Sequence, residues 1–189
     1  MLAVAGTARK NRALELIAGS LEANAALLKA ENRRDLDAGR AAGLSAAMLD
    51  RLTLDDSRIA KMAQALREIV ALPDPVGEVI DGWARPNGLH LRRVRVPLGV
   101  IFMIYESRPN VTIDAGSLCL KSGNACILRG GKEAINSNLA LARLIAAALG
   151  EAGLDPNCIQ LVETTDREVV SRLLKANGKV DVVIPRGGK

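Results

Sequence analysis

Two uninterrupted apolar runs, residues 100–105 (VIFMIY) and 125–128 (ACIL), flank a segment in which Val111, Ala115, Leu118 and Cys119 recur at helical spacing. Continuous apolar runs suit strands covered on both faces, and the spacing between them suits a helix with one face on that sheet. Pro109 fits the first turn of this helix, Asn110 can cap it, and Gly123 supplies the left-handed residue that ends it. Residues 97–132 therefore predict strand, helix, strand and a basic glycine turn, RGGK. The alternative is a buried hairpin of two core strands, which a connector of this length disfavours.

The pattern extends in both directions. Residues 7–43 predict one helix, with Leu14, Ile17, Leu21 and Leu28 on a common face and Gly43 at its end. Ser45 can start a short helix through Leu52. Thr53 and Asp56 have capping-box spacing, opening a helix with Ile59, Met62, Leu66, Ile69 and Val70 on one stripe, which Pro73 and Pro75 stop. Residues 77–81 and 89–96 are short strand candidates around a loop containing Trp83, Pro86, Asn87 and Gly88. The second arm mixes Arg92, Arg93 and Arg95 with apolar positions on both faces. It is either an ordinary edge strand or one that another subunit or a further domain covers. Beyond the central unit, 133–150 and 166–176 predict helices and 158–162 and 180–184 strands.

This alternation is that of an α/β protein with a Rossmann-like parallel sheet. Three parts are expected: an N-terminal helical segment (1–72), a linker with a β-hairpin arm (73–96), and an α/β domain (97–189).

Composition narrows the function. The 189 residues are 49% hydrophobic and 25% charged, which suits an enzyme or a binding module alike. Aromatic content of 2% argues against a stacking platform for single-stranded nucleic acid. The net charge of +5 is spread along the chain, so a solvated basic surface is favoured over a nucleic-acid groove. Cys119, Cys126 and Cys158 are odd in number and lie in apolar elements, as reduced core residues do. With no uncharged apolar stretch of about 18 residues and no signal-peptide pattern, a cytoplasmic chain without membrane contact is expected.

Ligands of open parallel sheets sit beyond the carboxyl ends of the strands. Here those ends are residues 105–110, 129–132, 163–166 and 185–189, and all but the third carry Arg or Lys. Paired glycines let backbone donors approach a phosphate, and Arg can bind one through two parallel bonds. An anionic ligand is implied, with phosphate the leading candidate. The glycine fingerprint GxGxxG is absent, since YESRPN follows the first strand. An acid after the second strand would suit NAD, whereas Arg129, with Lys132 behind it, points to the 2′-phosphate of NADP. The two could also be solvated basic residues in a turn.

Taken together, PLGVIFMIYESRPN, LKSGNACILRGGKEA and VDVVIPRGGK, with GLSAAMLDRL and DPVGEVIDG, resemble the γ-glutamyl phosphate reductase (glutamate-5-semialdehyde dehydrogenase) family of the aldehyde dehydrogenase superfamily. The resemblance runs over nearly the whole chain. It implies an incomplete aldehyde dehydrogenase-like cofactor domain and NADPH-dependent reduction of L-glutamyl 5-phosphate to L-glutamate 5-semialdehyde in proline biosynthesis. It implies NADP(H) contacts from Tyr105, Arg129, Gly130, Gly131, Lys132, Gly187 and Gly188. Arg108 and Asn110 become substrate-binding candidates, one for a phosphate or carboxylate and the other for the superfamily's oxyanion role, although Asn110 can equally be a helix cap. The family's nucleophilic cysteine lies in a second domain downstream of the PRGG turn. None of the three cysteines here falls in that motif, so no catalytic residue, no metal site and no turnover by this chain alone are expected. The full-length protein is expected to form a homo-oligomer through the hairpin arm. Rival readings are a non-catalytic nucleotide-binding or interaction module, and another aldehyde or acyl-phosphate dehydrogenase.

Overall fold

The computed structural model describes residues 2–187 and divides the N-terminal segment into four helices: α1 (Thr7–Ala23), α2 (Ala25–Ala41), α3 (Ala46–Leu52) and α4 (Asp56–Ala71). The single helix expected over 7–43 is broken at Asn24, whose φ and ψ are −107° and 22°. Its side-chain amide donates to the Ser20 carbonyl at 2.9 Å, a local bond that competes with the helical ladder. Gly43 ends α2 at φ 73°, as expected. Ser45 caps α3 by accepting from the Met48 N–H at 3.3 Å. The capping box does not form. Thr53 donates its hydroxyl to the Leu49 carbonyl, and Asp55 caps α4 by accepting from the Arg58 N–H at 2.8 Å.

The arm is a two-stranded antiparallel hairpin, β1 (Val79–Ala84) and β2 (His90–Val94). Trp83, expected in the loop, pairs with Leu91 inside it, because the turn is tighter than the polar residues suggested and closes through Gly88 at φ 84°. Every residue of β1 is exposed.

The remaining strands, β3 (Val100–Tyr105), β4 (Ala125–Arg129), β5 (Ile159–Leu161) and β6 (Val182–Arg186), form among the described residues one parallel sheet in the order β5-β4-β3-β6. Helices α5 (Pro109–Lys121), α6 (Ile135–Glu151) and α7 (Glu168–Leu174) connect them. β6 runs on through Pro185, which an edge strand tolerates. Pro109 takes the first helical position of α5, while Asn110 lies inside the first turn and donates to Asp114 at 3.0 Å instead of capping. Gly123 closes the helix at φ 73°.

One continuous apolar cluster joins Leu14, Ile17, Ile59 and Leu66 of the helical segment to Ile113, Leu120, Leu128, Leu141 and Ile159 of the α/β unit. The two sequence segments therefore share a core. Cover is not complete on both faces of the sheet, however. Leu118 is 54% exposed, contrary to its expected place on the sheet, and Leu98, Val183 and Ile184 are exposed along the β3–β6 flank.

A buried charge fixes the helices to one another. Lys10, which has no exposed surface, donates to Asp74 at 2.8 Å and to the Lys121 carbonyl at 3.0 Å. Asp74 also accepts from the Thr7 hydroxyl and the Val76 N–H, and Lys121 donates to Asn11 and the Val70 carbonyl. Burial pushes the Asp74 carboxyl up, but its bonds from Lys10, Thr7 and Val76 outweigh this and hold it below the usual carboxylate range. A depressed native value means that the stabilisation is full above the unfolded carboxyl value of about 4 and is lost as pH falls through the native one. Asp74→Asn leaves Lys10 buried without a counter-charge and should cost about 3 kcal/mol at pH 7. Urea unfolding should show that deficit shrinking as the pH is lowered below about 4.

Candidate functional site

The loops after β3, β4 and β5 open into one cleft of about 490 Å³, roofed by Leu44, Met48 and Leu52 around α3. Five cations line it (Arg51, Arg108, Arg129, Lys132 and Arg167) against two acids, Glu106 and Glu133. The excess of positive charge in a concave, partly apolar site favours an anionic ligand.

The glycine turn is shaped by what lies beneath it. A Cβ on Gly130 would strike the Asn138 amide and approach the Tyr105 ring at 3.0 Å. A Cβ on Gly131 would strike the Ser107 hydroxyl and come within 2.8 Å of the Ser107 nitrogen. The Ser107 hydroxyl donates to the Glu133 carboxylate, so the β3 and β4 loops are joined directly. Arg129 braces the β4 and β5 loops, donating to the Gly130 carbonyl at 2.7 Å and to the Thr165 carbonyl at 3.2 Å. Its buried Nε has no partner among the described residues.

The expected set is only partly brought together. Arg108, Arg129, Gly131 and Lys132 line the cleft. Tyr105 does not. It is 4% exposed, and its hydroxyl bonds at 2.8 Å to Thr112, which donates in turn to Asn138. Burial pushes its phenol up, against the opposing effect of the Thr112 bond. Because this side chain packs under Gly130, Tyr105 supports the turn rather than contacting a ligand in the cleft. Gly187 lies beside Glu106 at the end of β6 and outside the cleft lining, while Gly188 is outside the described residues. Asn110 faces a separate cavity of about 400 Å³ between α3, α4 and α5, with Arg108 on the boundary of both. Arg51, Arg167, Ser107 and Glu133 were missed. Arg51 sits in a helix with no ligand pattern and reaches the cleft only through tertiary packing.

The N-terminus of α6, the helix that follows the second strand of the sheet, is already satisfied and is closed to an anion. Asp35 of α2, 2% exposed, accepts from the Asn136 and Ser137 N–H groups at 3.1 and 2.8 Å and from the Ser137 hydroxyl at 2.6 Å. A protein carboxylate thus complements the helix dipole. An anion in the cleft is left with the loop cations and the turn that precedes the helix.

The three cysteines are free and buried, and none lines the cleft. The Cys126 thiol is raised by its bond with Cys119 and by burial, and that of Cys158 is raised chiefly by burial. Among the described residues no group of His, Cys, Asp or Glu could hold a metal ion, and no helix is long and apolar enough to cross a membrane.

No family model matches the chain. Curated relatives do. Over its whole length it is 59% identical to the γ-glutamyl phosphate reductase of Moorella thermoacetica and 56% identical to that of Rhodospirillum rubrum, spanning 45% and 44% of their lengths. The crystal structure of γ-glutamyl phosphate reductase from Thermotoga maritima superposes at a TM-score of 0.96 with 44% identity, over 99% of this chain and 45% of that one. The chain is homologous to the γ-glutamyl phosphate reductases. It spans under half the length of these relatives. The Saccharomyces cerevisiae reductase matches at a TM-score of 0.92 with 33% identity, covering 100% of this chain and 48% of that one. A probable aldehyde dehydrogenase from Listeria monocytogenes matches at 0.71 with 16% identity, over 99% of this chain and 38% of that one, which shows the shared aldehyde dehydrogenase-like fold.

Because Asp35 caps α6 from another helix, Asp35→Ala should destabilise the protein by about 2 kcal/mol or more, combining a lost cap with a buried Ser137 hydroxyl and N–H left short of a partner. Thermal or urea unfolding at neutral pH measures this.

Proposed function

We propose that this chain forms the nucleotide side of a γ-glutamyl phosphate reductase, in which NADPH reduces L-glutamyl 5-phosphate to L-glutamate 5-semialdehyde for proline biosynthesis. The observation that carries this reading is the cation-lined cleft at the carboxyl edge of the sheet, in a chain homologous along its whole length to reductases of that name. The residues present fit a phosphorylated nucleotide. The buried Arg129 Nε lacks an acceptor among the described residues, Lys132 is exposed at the rim, and Gly131 lines the cleft. The nucleotide, when bound, supplies the hydride.

The remaining roles belong to the chain. Lys132 and Arg129 hold the 2′-phosphate, and Arg129 keeps the β4 and β5 loops in register while doing so. Gly130 and Gly131 bring the backbone close to the ligand, with Tyr105 as the packed support beneath. Gly187 lies toward the pyrophosphate, and Arg108 and Asn110 toward the substrate. A thiolate that attacks the acyl phosphate comes from outside the described residues, since Cys119, Cys126 and Cys158 are all buried away from the cleft. The hairpin, with Trp83 43% and Val96 76% exposed beside it, serves as a homo-oligomer contact. The protein acts in the cytoplasm.

Titration with NADPH and NADH should show at least a tenfold preference for NADPH that Lys132→Ala abolishes, leaving NADH binding unchanged. Equal affinities in the unmodified chain, or no binding of either, would remove this reading. Arg129→Ala should weaken both nucleotides because it also releases the loop brace. In light scattering, Ile80→Asp on the hairpin should lower the assembly mass, and an unchanged mass would dissociate the arm from assembly.

A further inference from the structure

The second cavity, of about 400 Å³, lies between α3, α4 and the first turns of α5. Its charges are only partly compensated. Arg58 is used internally, pairing with Asp50 at 2.6 Å and donating to the Thr53 carbonyl at 3.0 Å, which ties the end of α3 to the start of α4. Arg51, Lys61 and Arg108 also line the cavity, and among the described residues none of the three has a side-chain hydrogen bond or ion pair. Facing them is Asp114, partly buried and bonded to Asn110 at 3.0 Å. With the Arg58–Asp50 pair satisfied, the three remaining cations and one carboxylate around the cavity fit a ligand that carries two anionic ends and one ammonium.

The placement of these groups gives the cavity a direction. Arg51 and Arg108 also line the nucleotide cleft and so form the partition between the two spaces, whereas Lys61 and Asp114 do not line that cleft. Resting on the reductase reading above, the reacting acyl phosphate must meet the nucleotide at the partition. The other end of the substrate then extends away from it.

We propose that this cavity binds the amino-acid end of the substrate, an α-amino acid with a phosphorylated acidic side chain, with Lys61 on its α-carboxylate and Asp114 on its α-ammonium. Arg51 and Arg108 hold the phosphoryl group at the partition. Selection for an α-amino acid, as opposed to a simple acyl phosphate, then comes from the N-terminal helices and the first turns of α5 and not from the glycine turn. Lys61 and Asp114 are specificity-determining residues.

The test is calorimetric titration of the 189-residue chain with the non-hydrolysable isostere of L-glutamyl 5-phosphate in which CH₂ replaces the oxygen bridging the acyl carbon and phosphorus. A matching compound lacking the α-amino group is run beside it, and NADPH affinity is measured on every variant. The isostere should bind at least tenfold more tightly than its des-amino form. Lys61→Met, an exposed position whose loss leaves the core intact, should weaken the isostere at least tenfold. Asp114→Asn should remove the preference for the amino compound. Neither change should move NADPH affinity beyond about twofold. The proposal is overturned if the isostere fails to bind a chain that binds NADPH, or binds the Lys61→Met and Asp114→Asn chains as it binds the unmodified one. It is also overturned if each variant weakens isostere and NADPH equally, since the two spaces would then be one site. Binding of the isostere without binding of NADPH would instead remove the nucleotide reading and leave this cavity standing.

Discussion

The buried polar contact between α2 and the start of α6 is the constraint on which both cavities depend. Asp35 neutralises the positive end of α6, and one turn earlier Asn32 donates to the Leu52 carbonyl and accepts from the Leu54 N–H, fixing the junction between α3 and α4. Asn32 also donates to the Ser137 hydroxyl. Through these two side chains the helical segment is held in register with the β4–α6 connection, so α3 comes to lie over the carboxyl edge of the sheet. Without that placement Arg51 would reach neither cavity. A buried carboxylate is costly unless every lone pair is used, and here donors from Asn136 and Ser137 use them.

The same carboxyl edge of the sheet carries no glycine fingerprint after its first strand. In the usual dinucleotide fold the helix N-terminus is the anion site and glycines clear the way to it. Here the turn after the first strand, β3, carries no glycine, and the N-terminus of the next helix, α6, is filled by the Asp35 carboxylate. The cations that line the cleft stand instead on separate loops, Arg108 after β3, Lys132 after β4 and Arg167 before α7. Glycine is still required at 130 and 131, for a different reason: the Tyr105 ring, Asn138 and Ser107 stand where a Cβ would go.

Much of the fold was legible because its signals are local. Continuous apolar runs marked β3 and β4, Gly43 and Gly123 marked helix ends, and Pro109 marked a helix start; each depends on backbone geometry or on burial along a single segment. The misreadings also have local causes. Asn24 breaks a helix through its own side chain, and Asp55 outcompetes Thr53 for a cap two residues later than a box would need. Leu118 follows the apolar period of α5 yet points to solvent, since periodicity identifies a face without saying what covers it.

The chemistry divides along the same line. Sequence alone determined that cations and glycines follow β3 and β4, because a strand's end and the turn after it are contiguous in the chain, and the motifs there carried the likeness to the reductases. Only tertiary structure decided which of those groups face a common space. It turned Tyr105 inward against Thr112 and Asn138, bound part of the Arg129 guanidinium to backbone carbonyls, and brought Arg51 and Lys61 from the N-terminal helices to the edge of a distant sheet. No periodicity records such meetings, since they are fixed by packing between residues far apart in the chain and by a few buried hydrogen bonds that the sequence does not announce.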